Sequence, residues 1–472
     1  MTVRLTAETG GHPALHGASL RPFWLDAPDA PEPTAPLRGD TDADLLIVGS
    51  GFTGLWAAVQ AKEEDPGRDV LVLEAESAAF GASGRNGGFL EASLTHGILN
   101  GIERFPDELD TLERLAAENL DGLLGTLERH GIDARYEAAG MITVATQPHQ
   151  LQHLADTVRL EREHGGDAEL LDGPAVRARV NSPTYLGGAF QRTGVGTVDP
   201  AHLAWGLRRA AAELGVRFCD RTRVDRLRGE GDRVAAATPN GTARARRVLL
   251  AGGGYSALLA PIRRLVAPVF DYVLVTEPLS TEQRAQIGWA GREGLADSGN
   301  QFHYYRLTPD DRILFGGFEA VYYFGNDISR RRDANPEVFG LLAEHLFETF
   351  PQLEGLRVSH AWGGVIDTCS RFCVTFGSAH GGKTVYAVGY TGLGVGATRF
   401  GARAALDLLD GRDTERTRLR LVRTRPLPFP PEPLRWPIIE VTRRALATAD
   451  ARDGRRGPWL NLLDRLGLGF DS

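Results

Sequence analysis

Apolar and polar positions along this chain switch between two periods. The run "DLLIV" is continuously apolar and is followed by "GSGFTG". From about Thr53 to Glu63 the apolar residues recur at helical spacing, until a Pro-Gly break. A second apolar run, Val70 to Leu73, comes next, so Leu45 to Leu73 reads as one strand–helix–strand unit. Residues 104–130 and 147–165 read as amphipathic helices with charged outer faces. "AHLAWGLRRAAAELGVRF" is a further helix, and short strand-like segments run from there to "RRVLLAGGG". Between about 256 and 340 the pattern becomes alternating ("DYVLVTEPL", "FHYYRL", "RILFGGFEA"), which predicts a sheet with one solvated face. A helix near 335–350 follows. "KTVYAVGYTGLGVGATRFGARAALDLL" then returns to strand, glycine turn and helix.

A second strand–glycine–helix element so far downstream of the first predicts one domain assembled from separated segments. The 472 residues exceed one domain of ordinary size, and 42% hydrophobic with 24% charged residues supports a folded core. A formal charge of −8 argues against a nucleic-acid or anionic-membrane partner. Cys219, Cys369 and Cys373 cannot form a disulfide framework, the N-terminus lacks an apolar signal core, and no run of about 18 apolar residues occurs. These features predict a soluble, cytoplasmic protein. No metal-ligand spacing is present.

Gly49-Ser50-Gly51-Phe52-Thr53-Gly54 is G-x-G-x-x-G placed after a strand and opening a helix. The first glycine permits the tight turn, the second admits a pyrophosphate, and the third lets helix and strand pack closely. The helix N-terminus supplies N–H groups and partial positive charge for phosphate. Glu74, followed by Ala75, ends the second strand, where a carboxylate can accept hydrogen bonds from an adenosine ribose and disfavours a 2′-phosphate.

The next segment separates the two dinucleotide classes. An NAD domain proceeds from the ribose-binding acid into another helix, whereas this chain gives "AESAAFGASGRNGGFLEASL". Such a loop, Gly81 to Gly88, can run along an extended FAD. Gly81 and Ala82 begin it, Ser83, Arg85 and Asn86 reach phosphate or ribityl oxygens, and Gly87 and Gly88 let the backbone lie against the isoalloxazine ring. Ala251 and Gly252, ending "RRVLLAGGG", suit a backbone close to the dinucleotide. Gly389, Gly392, Leu393 and Gly394 open a late helix whose N-terminus can face the flavin pyrimidine.

Together, "DLLIVGSGFTGLWAA", "VLVLEAE", "FGASGRNGGF", "VLLAGGG", "YYRLTPDDRILFGG", "WGGVID" and "VYAVGYTGLGVGATRFG" resemble the D-amino-acid-oxidase/glycine-oxidase superfamily of FAD-dependent enzymes. The likeness is greatest to its amine-oxidising branch typified by gamma-glutamylputrescine oxidase, and it spans roughly residues 20–420. It implies an α/β fold: a discontinuous Rossmann-like FAD-binding domain (43–100 with 170–255 and 355–420) plus an α+β, mixed-sheet substrate domain (101–169 and 256–354). Residues 1–42 form an arm anchored by Phe23 and Trp24. Residues 421–472 form a Pro-rich extension that packs on its parent domain. The implied chemistry is hydride removal from the nitrogen-bearing carbon of a primary or secondary amine or an amino acid, giving an imine, with flavin N5 as acceptor and oxygen reduced to hydrogen peroxide. Positioning does most of that work.

The resemblance also implies roles. Val224 and Ala251–Gly252 match the second adenosine-side segment. Arg306 lies on the strand that carries a carboxylate-binding arginine in glycine-oxidase-like members, so it is a candidate substrate clamp. His303, Tyr304, Tyr305 and Trp362 are candidate pocket residues. Asn86 stands where dimethylglycine-type members carry a flavin-linking histidine, so FAD is expected to be non-covalent. Sarcosine-oxidase-like members use a lysine by the flavin to activate oxygen. Here the only lysines are Lys62 and Lys383, which leaves Arg85, Arg371 or His303 to supply such a charge. A dehydrogenase using another acceptor, a non-catalytic flavin-binding redox protein, and an oligomeric state all stay open.

Overall fold

The computed structural model describes residues 4–5, 11–255, 258–466 and 468 and arranges them around two sheets and a two-stranded ribbon. In chain order the strands begin with β1 (Thr41–Val48), β2 (Val70–Leu73), β3 (Phe89–Glu91), β4 (Met141–Ala145), β5 (Glu169–Asp172), β6 (Gly187–Gln191) and β7 (Val195–Thr197). Next come β8 (Arg217–Cys219), β9 (Arg226–Glu230), β10 (Arg233–Thr238), β11 (Gly241–Leu250), β12 (Ala267–Thr276) and β13 (Gly294–Asp297). The last are β14 (His303–Leu307), β15 (Ile313–Gly317), β16 (Val321–Tyr322), β17 (Val358–Thr368), β18 (Thr375–Ala379) and β19 (Thr384–Val388). The helices used below are α1 (Phe52–Glu64), α2 (Leu109–Arg129), α3 (Gln150–Glu163), α4 (Pro200–Glu213), α5 (Pro336–Thr349), α6 (Gly394–Leu409), α7 (Arg435–Asp450) and α8 (Pro458–Arg465).

The first sheet has the order β18-β19-β11-β1-β2-β8, with β10 and β9 added to β11 as an antiparallel meander. From β19 through β8 neighbouring strands run parallel. Helices cover one face: Leu55, Trp56 and Val59 of α1 and Phe400 and Leu406 of α6 pack with Leu45, Ile47 and Val72. Leu46, Leu71 and Leu73 pack on the other face with Val234, Val248 and Ile262. Burial on both faces is why these strands read as continuous apolar runs.

The second sheet has the order β16-β12-β15-β14-β13-β4-β6-β5, and β17 pairs with β12. Three segments therefore lie elsewhere than the sequence suggested. β5, β6 and β17 hydrogen-bond into the second sheet, although 170–191 and 358–368 were expected with the FAD-binding segments. Conversely α2, expected with the substrate segments, places Leu112, Leu115, Leu123 and Leu127 in the core of the first sheet. The amphipathic pattern shows that a helix has an apolar face, not which core that face enters.

The expected solvated face of the second sheet is also covered. Phe270, Tyr272, Leu274 and Tyr305 pack against α5 and, through Ala14 and Leu15, the N-terminal arm. On the opposite face Val273, Val275, Leu314 and Trp362 pack with Trp24 and with Ala201 of α4. The C-terminal α7 and α8 share a small core of Ala449, Leu460 and Leu463. The carboxylate of Asp450 at the end of α7 accepts hydrogen bonds from the Asn300 and Gln301 N–H groups, which fastens the extension to the β13–β14 turn. No helix among the described residues is long and apolar enough to cross a membrane.

Candidate active site

The C-terminal ends of β1, β2, β11 and β19 lie side by side on one edge of the first sheet, so Gly49, Glu74, Ala251 and Gly389 come together although they are far apart in sequence. Open parallel sheets bind ligands at this kind of edge. Gly49 has φ +106°, and a Cβ on it would stand 2.9 Å from the Ala251 carbonyl oxygen; a Cβ on Gly54 would overlap the Gly49 carbonyl oxygen. Only glycine allows strand, turn and helix to pack this closely. Gly51 caps α1 without offering a side chain, and the Phe52 N–H donates to Ser83 Oγ at 2.9 Å. Thr53 Oγ1 donates to Tyr390 Oη at 3.1 Å, joining the starts of α1 and α6.

Glu74 is held as a three-bond acceptor: Ser50 N–H (2.8 Å) and Ser50 Oγ (3.2 Å) donate to Oε2, and Glu76 N–H (2.9 Å) donates to Oε1. Burial pushes its pKa up, partly opposed by those N–H groups. Ala75 is exposed beside it, and Thr222 N–H donates to the Glu74 carbonyl at 2.7 Å. That contact brings the 222–224 segment alongside, with Val224 buried against Leu71 and Leu73. Gly392 (φ +96°) precedes Leu393, the N-cap of α6, and Gly394 is that helix's first residue. A backbone turn without side chains, two helix starts without side-chain caps and a carboxylate on the second strand match what a dinucleotide requires.

The loop after Glu74 connects this edge to the second sheet. Gly81 passes 3.0 Å, measured from an added Cβ, from the Tyr255 ring; exposed Ala82 follows, and Ser83 meets α1. The protein itself engages three of the positions expected to meet the cofactor. The Arg85 guanidinium does not extend toward the α1 turn. Nε donates to the Phe80 carbonyl (2.8 Å), while Nη1 donates to the Gly363 carbonyl (2.9 Å) and pairs with Asp333 (2.9 Å). The Asn86 side chain folds back, donating to the Ala82 and Ser83 carbonyls (2.9 and 3.1 Å) and accepting from Gly88 N–H (2.8 Å). Gly87 and Gly88 are required by protein packing. A Cβ on Gly87 would stand 2.7 Å from the Tyr304 ring, and one on Gly88 would overlap the Val198 carbonyl oxygen. The loop backbone is also held by two indoles: Trp362 Nε1 donates to the Arg85 carbonyl and Trp24 Nε1 to the Asn86 carbonyl, each at 2.9 Å.

β14 splits the four adjacent candidates in two, because successive side chains on a strand point to opposite faces. Tyr304 and Arg306 face the loop. The Tyr304 ring stands edge-on to Phe89 with centroids 5.7 Å apart, and its hydroxyl donates to Asp271. Burial raises the Asp271 pKa to about 6 despite that bond. His303 and Tyr305 face away, into a buried polar chain. Tyr185 Oη contacts Tyr305 Oη (2.9 Å), Tyr305 donates to Asp297 (3.1 Å), Asp297 meets His303 Nδ1 (2.5 Å) and His303 Nε2 meets His345 Nδ1 (2.9 Å). His303 and Tyr305 therefore point to the opposite face of the sheet from Tyr304, and His303 is committed to Asp297 and His345.

Arg306 departs from the expected clamp. It is 0% exposed, under the Trp24 ring, and Nη1 donates to the Val198 carbonyl at 2.7 Å and the Gly88 carbonyl at 3.4 Å. Nε donates to the Leu307 carbonyl (3.2 Å), and Nη2 has no partner among the described residues. Burial lowers its pKa to about 10. It braces the turn at Gly88 instead of projecting. Arg371 likewise holds the extension, donating to the Leu421 and Thr424 carbonyls (2.9 and 3.1 Å). Cys369 is buried against Gly389, with its thiol donating to the Cys373 and Gly389 carbonyls.

Four residues that the sequence did not place in the site join it: Trp24, expected only as an anchor of the arm, and Phe89, Asp271 and His96. His96 has φ +64°, and its Nε2 lies 3.8 Å from an added Gly392 Cβ. Asp271 carried a signal, since it is the one charge inside the apolar strand "APVFDYVLV". A separate cavity of about 740 Å³, lined by residues including Arg4, His16, Arg312 and His360, contains none of these groups.

Residues 44–408 match the family model described as DAO, FAD dependent oxidoreductase. The chain is 33% identical over 387 residues to the gamma-glutamylputrescine oxidoreductase of Escherichia coli strain K12, covering 80% of this chain and 86% of that protein. It is 27% identical over 404 residues to the probable oxidoreductase OrdL of Haemophilus influenzae, covering 84% and 89%. Among solved structures it resembles glycine oxidase from Geobacillus kaustophilus, with TM-score 0.66 and 20% identity over 79% of this chain and 96% of that one. The chain belongs to the DAO family of FAD-dependent oxidoreductases, and FAD is its cofactor.

Proposed function

We propose that this protein oxidises a primary or secondary amine to an imine, with oxygen as the final acceptor and hydrogen peroxide as co-product. One observation carries the reading. The 81–88 loop starts on the dinucleotide edge, where Ser83 accepts from the first N–H of α1, and ends with Gly87 packed on the Tyr304 ring of the second sheet. A cofactor following that loop would present its far end to the face bearing Tyr304, Asp271, Trp362 and Phe89. When bound, FAD supplies the hydride acceptor. The chain's part is to exclude water and hold the substrate: indoles and rings form the wall, and Asp271 holds the Tyr304 hydroxyl in one orientation. The gamma-glutamylputrescine oxidoreductase of E. coli supports an amine as substrate.

Asn86 makes no link to the cofactor in this reading, so FAD is held non-covalently. One observation favours a second acceptor class. Arg85 is paired with Asp333 and Arg371 is committed to the C-terminal extension, so neither expected cation is presented freely to oxygen. The test is anaerobic mixing of the FAD-loaded protein with monoamines, diamines, N-methyl amino acids and D-amino acids. Bleaching of the flavin by an amine, and stoichiometric peroxide on admitting air, is the expected result. Bleaching without peroxide assigns another acceptor, and a flavin that no amine bleaches refutes the enzymatic reading.

A further inference from the structure

β3 continues directly from Gly87–Gly88 and carries one more charged group. Its Leu90 faces the first-sheet core, where an added Gly396 Cβ would lie 3.5 Å from Leu90 Cδ1. Alternation then turns Phe89 and Glu91 the other way, toward the second sheet. Phe89 confirms the direction, since its ring meets Tyr304 and comes within 2.7 Å of an added Gly294 Cβ. Glu91 is thus on the same side as the Tyr304–Asp271 pair, three residues past Gly88, which is about 10 Å of extended chain.

No hydrogen bond or ion pair to the Glu91 carboxylate occurs among the described residues. Burial alone raises its pKa, and the charge that senses it is Glu161 of α3, of the same sign. Arg306, the cation at the Gly88 turn, donates to the Gly88 and Val198 carbonyls. Glu91 is half-buried, and an unpaired carboxylate there gives this side of the chain a negative charge that a cationic ligand would complement.

We propose that Glu91 is the anchor for a second ammonium group of the substrate, which makes the substrate a diamine-type aliphatic amine in preference to an α-amino acid. The proposal rests on the amine-oxidising reading above. Glu91 cannot serve the reacting nitrogen, because that nitrogen must be neutral with its lone pair free, and an adjacent carboxylate would hold it protonated. The anchored group is therefore the far one, separated from the oxidised carbon by a short chain of methylenes lying along Phe89 and Tyr304. Arg306 is 0% exposed with Nη1 and Nε donated to backbone carbonyls, so it does not offer its two-pronged fork to an α-carboxylate, and Asp271 and Glu91 repel one.

The test compares 1,4-diaminobutane, butylamine and glycine on the FAD-loaded protein and its Glu91→Gln variant, following anaerobic flavin reduction. The wild type should favour the diamine over butylamine in kcat/KM by about 10- to 100-fold, the worth of one charge-assisted hydrogen bond. Glu91→Gln, which keeps shape and removes charge, should bring that ratio to about one. A wild type indifferent to the second ammonium, or a variant that keeps the preference, overturns the proposal and leaves the amine-oxidising reading intact. If no amine reduces the flavin, that reading fails instead. Glu91 is then judged by calorimetric titration with tetramethylammonium, where wild-type binding lost in Glu91→Gln supports the anchor and equal behaviour of the two proteins rejects it.

Discussion

Replacing Gly88 by alanine should be much more damaging than replacing another glycine with the same kind of backbone. Gly88 has φ +78°, and left-handed backbone with a Cβ costs about 1–2 kcal/mol. The new methyl would also overlap the Val198 carbonyl oxygen and stand 2.8 Å from Arg306 Nη1. Relieving the overlap separates Gly88 from Val198, whose N–H donates to the Gly88 carbonyl at 2.8 Å, and pulls the Val198 carbonyl from Arg306, now at 2.7 Å. Each buried hydrogen bond broken costs about 1–3 kcal/mol. Gly392 supplies the control: φ is +96°, and the nearest atom to an added Cβ is His96 Nε2 at 3.8 Å, so Gly392→Ala pays the backbone strain alone. The expected losses are about 3–8 kcal/mol for Gly88→Ala and about 1–2 kcal/mol for Gly392→Ala. Urea unfolding of the two variants, followed by far-UV circular dichroism, measures both. Equal losses would refute the reasoning, because they would mean that the Val198–Arg306 brace yields without cost.

Two further predictions concern the second sheet. Trp24→Phe keeps an aromatic ring under Arg306 but removes the indole N–H that donates to the Asn86 carbonyl; it should cost about 1–2 kcal/mol and increase hydrogen exchange at Asn86 to Gly88. Burial and the neighbouring His303 lower the His345 pKa to about 4, against about 6.5 when unfolded, so the fold favours the neutral ring. Its contribution is complete above pH 6.5 and is lost as pH falls toward 4, at up to about 1 kcal/mol per pH unit after allowance for partial exposure. Urea midpoints of the wild type and His345→Asn between pH 7 and 4.5 should converge as pH falls; parallel curves would rule this out.

The nucleotide edge was legible in the sequence because sterics act locally there. Gly49, Gly51 and Gly54 stand within six residues, and their tight contacts follow from one turn between a strand and a helix. β14 was legible as a strand but not as a wall. "HYYRL" offered four functional side chains, and alternation alone allows only two of them onto either face. Which two depends on pairing with β13 and β15 and on the approach of Gly87, a residue far off in sequence. Arg85 shows the same limit, since a guanidinium beside glycines suits phosphate equally until Asp333 and Gly363 are brought to it by the fold. α2 and β17 were assigned to the wrong core for that reason as well: periodicity reports that a face is apolar, and long-range packing decides what covers it.

The direction of the error over Arg306 bears on substrate choice. A guanidinium grips a carboxylate only if its fork is free, and here Nη1 and Nε are already donated to three backbone carbonyls. Those carbonyls belong to Gly88, Val198 and Leu307, so the charge that would recognise an amino acid instead fixes the loop against the strand. Lysine could not replace it, because one ammonium cannot reach all three acceptors from that backbone position. With that cation braced, two carboxylates on this side of the sheet are Asp271, with its tyrosine partner, and Glu91, with none among the described residues. If Glu91 anchors an ammonium group as proposed, this pair selects a substrate that brings positive charge and no carboxylate. The bracing of the loop and the sign of the site therefore have one structural cause, and an Arg306→Met protein should show both effects together: a looser 86–88 turn by hydrogen exchange, and no gain in turnover of glycine.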